Sequence, residues 1–129
     1  MILASGCFDG LHSGHVAYLQ ACLAVARDRE IYVAIAPDVY IQQVKCRPPR
    51  WSQVDRAAVV DAIRGVTRTV LHAEPSIAET ILRLRPELVI KGVDWVGRLP
   101  ADVVRACVDV GAQVIFVEAE RRHCEGVAW

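Results

Sequence analysis

The stretch Ile2-Leu3-Ala4-Ser5-Gly6-Cys7-Phe8-Asp9-Gly10-Leu11-His12-Ser13-Gly14-His15 decides the fold. Its first residues are apolar or small without alternation, the pattern of a strand covered on both faces. From His15 onward Val16, Leu19, Leu23 and Ala26 recur at helical spacing, which predicts a helix over 15–27. Between strand and helix lies a turn of small residues with two histidines three apart. It is neither a G-x-G-x-x-G dinucleotide fingerprint nor a G-x-x-x-x-G-K-[ST] P-loop. Its physics is still that of an anion site. The first helical turn leaves N–H groups unpaired and carries the positive end of the helix dipole. Gly14 lets a phosphate approach the backbone, and His12 and His15 are placed to donate to it. A lone histidine here reads as a cap or a surface residue. Two of the chain's four histidines in one H-x-G-H favour the ligand reading.

The same strand–helix grammar repeats outward. Ile31 to Ala36 reads as a buried strand stopped by Pro37. Ser52 N-caps a predicted helix from Gln53 to about Arg64, with Gly65 near its end. Thr69 to Leu71 is a short strand. Pro75 or Ser76 opens a helix to about Arg85, closed by Pro86. Leu88 to Ile90 is a strand leading into the loop Lys91-Gly92-Val93-Asp94-Trp95. A helix from Pro100 to Val110 stops at Gly111, and Val114 to Val117 is the last strand. Apolar strands separated by helices predict an α/β fold: one doubly wound domain over 1–129, its five-stranded parallel sheet covered on both faces. In such sheets ligands bind beyond the carboxyl ends of the strands, where strand order reverses. The residues after the first and fourth strands therefore carry most weight.

Composition narrows the function. The chain has 129 residues, 53% hydrophobic and 23% charged, enough apolar material for one core. No apolar run reaches the roughly 18 residues of a membrane span, and Met1 to Gly6 lacks a signal peptide's basic region. These features predict a cytoplasmic protein with no membrane partner. Zero net charge argues against a nucleic-acid partner and points to a small, locally recognised anion. Five cysteines at wide spacings, without C-x-x-C, predict reduced thiols rather than a disulfide framework or a protein-held metal. Lys45 and Lys91 are the only lysines beside thirteen arginines, and both fall on expected ligand-edge loops.

Gly6-Cys7-Phe8-Asp9 followed by His12-Ser13-Gly14-His15 resembles the signature of the cytidylyltransferase-like nucleotidyltransferases, a superfamily with a Rossmann-like fold. Within it the chain is most similar to the adenylyltransferase domain of ADP-heptose synthesis enzymes. Tyr32 to Ile35, Lys45 with Arg47-Pro48, Asp55-Arg56, Ala62 to Val66 and Leu88 to Trp95 extend the resemblance over nearly the whole chain. It implies in-line transfer of an NMP from ATP or CTP to a phosphorylated small molecule, with pyrophosphate leaving and Mg²⁺ carried on the NTP phosphates. His12, His15 and Lys45 would be the catalytic set. Gly6, Cys7, Phe8, Asp9, Gly14, Lys91, Gly92 and Asp94 would bind nucleotide, and Arg47, Arg56 and Arg122 the acceptor or its phosphate. Arg56 reads equally as an exposed partner of Asp55 or Glu79, and Lys45 also as a solvated loop charge. The apolar helix faces and Trp95 would suit a homodimer, common in the family. One departure stands out: where the family carries a late Ser/Thr-rich segment, this chain has His123-Cys124-Glu125-Gly126-Val127-Ala128-Trp129. The readings left open are a sugar-phosphate adenylyltransferase, a glycerol-3-phosphate-type cytidylyltransferase, and a nucleotide-binding protein impaired in catalysis. Aminoacyl-tRNA synthetase relatives fit poorly, because the basic charge that tRNA binding needs is missing.

Overall fold

The computed structural model of the chain describes residues 1–72 and 75–119. Five strands, β1 (Ile2–Gly6), β2 (Ile31–Ile35), β3 (Arg68–Leu71), β4 (Leu88–Gly92) and β5 (Gln113–Val117), form one parallel sheet in the order β3-β2-β1-β4-β5. The α/β doubly wound expectation holds, and the order reverses between β1 and β4. Helices α1 (Ser13–Ala26), α2 (Asp38–Val44), α3 (Gln53–Asp61), α4 (Ala78–Leu84) and α5 (Ala101–Val110) connect them, with a 3-10 turn at Val93–Trp95.

Strand periodicity divides the core. Ile2, Ala4 and Ile90 pack with Cys22 and Ala26 of α1, and Val33 and Ile35 with Leu19 of α1 and Val60 of α3. Leu3, Ala34 and Val89 face the other way, onto Ile77, Ala78 and Ile81 beside α4 and Val103, Ala106 and Cys107 of α5. Both faces of every central strand are thus apolar, which is why the strands read as continuous hydrophobic runs.

Local signals set most of the ends. Ser52 accepts a hydrogen bond from the Asp55 N–H and caps α3. Gly111 closes α5 at φ +73°. Helix α2, which no sequence signal announced, follows Pro37 and ends at Lys45 as its C-cap; at seven residues it is too short to show a periodicity. Two expected boundaries need correction. Helix α3 ends at Asp61, before Arg64. Helix α4 begins at Ala78, while Ser76 accepts from its first N–H from outside the helix.

Candidate active site

The motif after β1 folds into a reciprocal cap. His12 is the N-cap of α1, and its Nδ1 accepts from the Gly14 N–H at 3.0 Å. The His15 Nδ1 accepts from the His12 N–H at 3.2 Å. Two of the helix's orphan donors are satisfied, as in a capping box built from imidazoles. The rings stack, centroids 4.0 Å apart and 24° from parallel. A neutral imidazole that accepts at Nδ1 carries its proton on Nε2, so each ring as bonded here is an Nε2–H donor. Burial first, then the charges of His12 and Lys45, push the His15 pKa down to about 4. His15 is therefore neutral at pH 7.

Beneath the pair, Phe8 adopts φ +52° and is buried, its ring 5.4 Å from His15. An aromatic residue in the left-handed region costs about 1 kcal/mol or more, which its burial against the motif offsets. A Cβ on Gly6 would stand 2.8 Å from the Phe8 ring, so the turn requires glycine there.

Both histidines line a cleft of about 660 Å³ at the carboxyl ends of the strands. Gly6, Cys7, Phe8, Asp9, Gly14, Lys45, Arg47, Lys91, Gly92 and Asp94 line the same cleft. The structure thus brings together twelve of the fourteen residues expected at the site, His12 and His15 included. Lys45 reaches it from the end of α2, after β2, and Lys91 from β4; since β1 lies between those strands, the two lysines flank the histidine motif. The Lys91 Nζ donates to Ser5 Oγ at 2.9 Å and lies 5.0 Å from the centre of the Trp95 ring. Burial lowers its pKa. Burial also raises the thiol of Cys7 and the phenol of Tyr40. Gly92 leaves room for Asp94, whose Oδ1 would meet an added Cβ at 2.5 Å.

Several residues serve the site indirectly. Asp9 is 5% exposed and accepts from Arg47 Nη1 at 2.7 Å and from the backbone N–H groups of Arg50 and Trp51. Burial alone would raise its pKa, but the Arg50 N–H, the Arg47 guanidinium and the Trp51 N–H outweigh burial and hold the carboxyl below the usual range. Asp9 thus ties the loop after α2 to the H-x-G-H motif. Arg56 corrects the sequence reading. It is 1% exposed and does not line the cleft. Its guanidinium donates to the carbonyls of Trp51, Cys7 and Ala36 and to Asp38 Oδ1. With its donors committed inward, it bolts the turns after β1 and β2 to α3 and is neither an acceptor ligand nor a partner of Asp55 or Glu79. The signal was its spacing: Arg56 and Val60 are four apart and share the buried stripe of α3.

Arg122, with the segment from Arg121 to Trp129, lies outside the described residues. Among the described residues no group of three or more His, Cys, Asp or Glu is placed to hold a metal, and no helix is long and apolar enough to cross a membrane. Sequence reasoning passed over Ser5, Tyr18, Tyr40, His72, Ser76 and Asp102, which also line the cleft. Ser5 carried a signal, being the polar residue near the end of an apolar strand. Tyr18 carried another, three residues after His15 on the same helix face.

Comparison with known proteins agrees with this geometry. The chain is 34% identical over 92% of its length to a bifunctional protein HldE of Gluconobacter oxydans (strain 621H), of which it spans 24%. It is 38% identical over 74% of its length to the protein of that name from Shewanella sp. (strain ANA-3), of which it spans 20%. The chain thus spans about a quarter or less of these relatives. The crystal structure of the lipopolysaccharide core biosynthesis protein from Thermoplasma volcanium GSS1 superposes with a TM-score of 0.74 over 95% of this chain and 97% of that one, at 24% identity, a likeness of fold. The cytidylyltransferase-like sequence profile matches residues 3–123, nearly all of the chain. With the imidazole pair at the helix mouth and the reversal of strand order beside it, this match places the chain in the cytidylyltransferase-like family of nucleotidyltransferases.

Proposed function

We propose that the protein transfers AMP from ATP to the phosphate of a phosphorylated sugar such as heptose 1-phosphate, releasing pyrophosphate. The observation that carries the proposal is the stacked His12–His15 pair, each ring's Nδ1 filled by backbone and its Nε2–H left to donate, in a cleft flanked by Lys45 and Lys91. The choice of AMP and of a sugar phosphate rests on the likeness to heptose adenylyltransferase domains.

In this reading an acceptor phosphate oxygen attacks the α-phosphorus in line, the bond to the β-phosphate's bridging oxygen breaks, and that oxygen leaves with pyrophosphate. Negative charge grows on the α-phosphate oxygens and the leaving group. Fixed donors aimed at such charge each contribute about 10²–10³ in rate. The imidazoles suit this task because the reciprocal cap fixes ring orientation before substrate arrives, so little reorganisation is needed. The neutrality of His15 leaves the cationic role to the lysines. Mg²⁺ enters as part of the MgATP substrate. Cytoplasmic residence, read from the composition, and a homodimer, suggested by the family resemblance, remain parts of the proposal.

The test is a product-resolved assay with ATP and CTP, each offered heptose 1-phosphate and glycerol 3-phosphate. The proposal expects pyrophosphate and an ADP-sugar from the first pairing. A CDP-linked product would reassign the base, and no pyrophosphate from any pairing would overturn nucleotidyl transfer itself.

A further inference from the structure

Strands β1 and β4 do not stay paired to their ends. Their register stops at Ala4 opposite Ile90, although β1 runs on to Gly6 beside β2 and β4 to Gly92 beside β5. The sheet forks here, and the cleft opens in the fork. Two links span it. From the face carrying Leu3 and Val89, Lys91 Nζ donates to Ser5 Oγ at 2.9 Å. From the α1 face, the Tyr18 hydroxyl lies 3.3 Å from the Ser5 carbonyl and 3.3 Å from the Ile90 carbonyl, one on each prong. The Tyr18 ring packs 6.4 Å from Phe8, which in turn supports His15. Burial raises the phenol's pKa well above the ordinary tyrosine range, so the hydroxyl keeps its proton across the working pH.

We infer that Tyr18 is a positioning residue: its hydroxyl, wedged where β1 and β4 part, fixes the spacing between the His12–His15 wall of the cleft and the Lys91–Trp95 wall. A substrate polyphosphate gripped from both walls feels that spacing most where reacting atoms must align, and a misplacement of about 1 Å costs on the order of 10²-fold in rate. The inference rests on the proposed nucleotidyl transfer for its kinetic readout but not for its spectroscopic one.

The experiment is Tyr18→Phe, which keeps the ring on Phe8 and removes only the hydroxyl. Turnover should fall about ten-fold or more, while the Kd for a non-hydrolysable ATP analogue stays within about two-fold. The Lys91 ¹⁵Nζ and His15 imidazole ¹⁵N resonances of the ligand-free variant should also shift. In the wild type the Tyr18 hydroxyl proton should exchange slowly enough to be seen by NMR, a readout independent of how the variant folds. Unchanged turnover, a loss matched by equal loss of analogue binding, unmoved Lys91 and His15 resonances, or a freely exchanging hydroxyl would each overturn the inference. Should the wild type release no pyrophosphate with any acceptor, the proposed function fails; the resonances and the hydroxyl proton still decide the role of Tyr18.

Discussion

His12 and His15 hold each other in place: the His12 backbone N–H donates to His15 Nδ1, and their rings stack 4.0 Å apart at the mouth of α1. One arrangement thus caps the helix and presents two donors to the cleft. The dual role means that alanine substitutions would confuse folding with chemistry. Asparagine is the cleaner probe, because its side-chain oxygen can stand where Nδ1 accepts while nothing replaces Nε2.

The depressed pKa of His15 makes a stability prediction. Its folded pKa is about 4 and its free value about 6.5. Between those values the unfolded chain binds the proton and the folded chain does not, so stability falls as pH drops from about 6.5 to about 4 and loses nothing more from this group below that. With solvent screening of the partly exposed ring, we expect a loss of about 1–2 kcal/mol between pH 7 and pH 4.5. Urea unfolding of wild type and His15→Asn at both pH values measures it. The variant should lack that share of the slope, and equal slopes would refute the assignment.

Arg56 should behave as a structural bolt. Removing it leaves three carbonyls and the Asp38 carboxylate without their donor, one of those carbonyl bonds fully buried. Breaking such a buried charged network costs about 3–5 kcal/mol. Arg56→Met should unfold at much lower denaturant. Arg56→Lys should recover less than half of the loss, since one ammonium cannot reach four acceptors spread around a planar fork. Full rescue by lysine would show that charge alone matters at this position.

Much of this was legible in the sequence because the signals were local. Apolar runs gave the strands of the sheet, Ser52 and Gly111 marked helix ends, and H-x-G-H at the first strand's end marked the cleft. What escaped notice depends on through-space partners. On a helix with a mixed face Arg56 reads as a phosphate ligand or an exposed ion-pair partner, yet the turns after β1 and β2 fold over it. Asp9 lines the cleft as its place in the motif suggests, but the partners that hold it lie in the loop 47–51, some forty residues on. Helix α2 has no side-chain cap to announce it. The wedge of Tyr18 depends on β1 and β4 being neighbours, which strand order and not sequence order determines.

Asp9 should govern the loop that carries Arg47. Asp9→Asn removes the ion pair and weakens the acceptor for the Arg50 and Trp51 amides. We expect amide exchange over 46–51 to quicken by about ten-fold or more and global stability to fall by about 1–3 kcal/mol. Because the folded pKa of Asp9 is lowered, its contribution is present above the ordinary carboxylate range and lost as pH falls through the folded value. Exchange in 46–51 unchanged by the substitution would show that the loop is held by other contacts.

The central claim, that the imidazole pair stabilises charge at the α-phosphorus, is tested most directly by pre-steady-state turnover of ATP and heptose 1-phosphate by wild type, His12→Asn and His15→Asn. Each variant should keep its unfolding free energy within about 1 kcal/mol of wild type and bind the ATP analogue within a few-fold, yet lose about 10²–10³ in the transfer rate. Variants that transfer within ten-fold of wild type would show that the two rings only cap the helix.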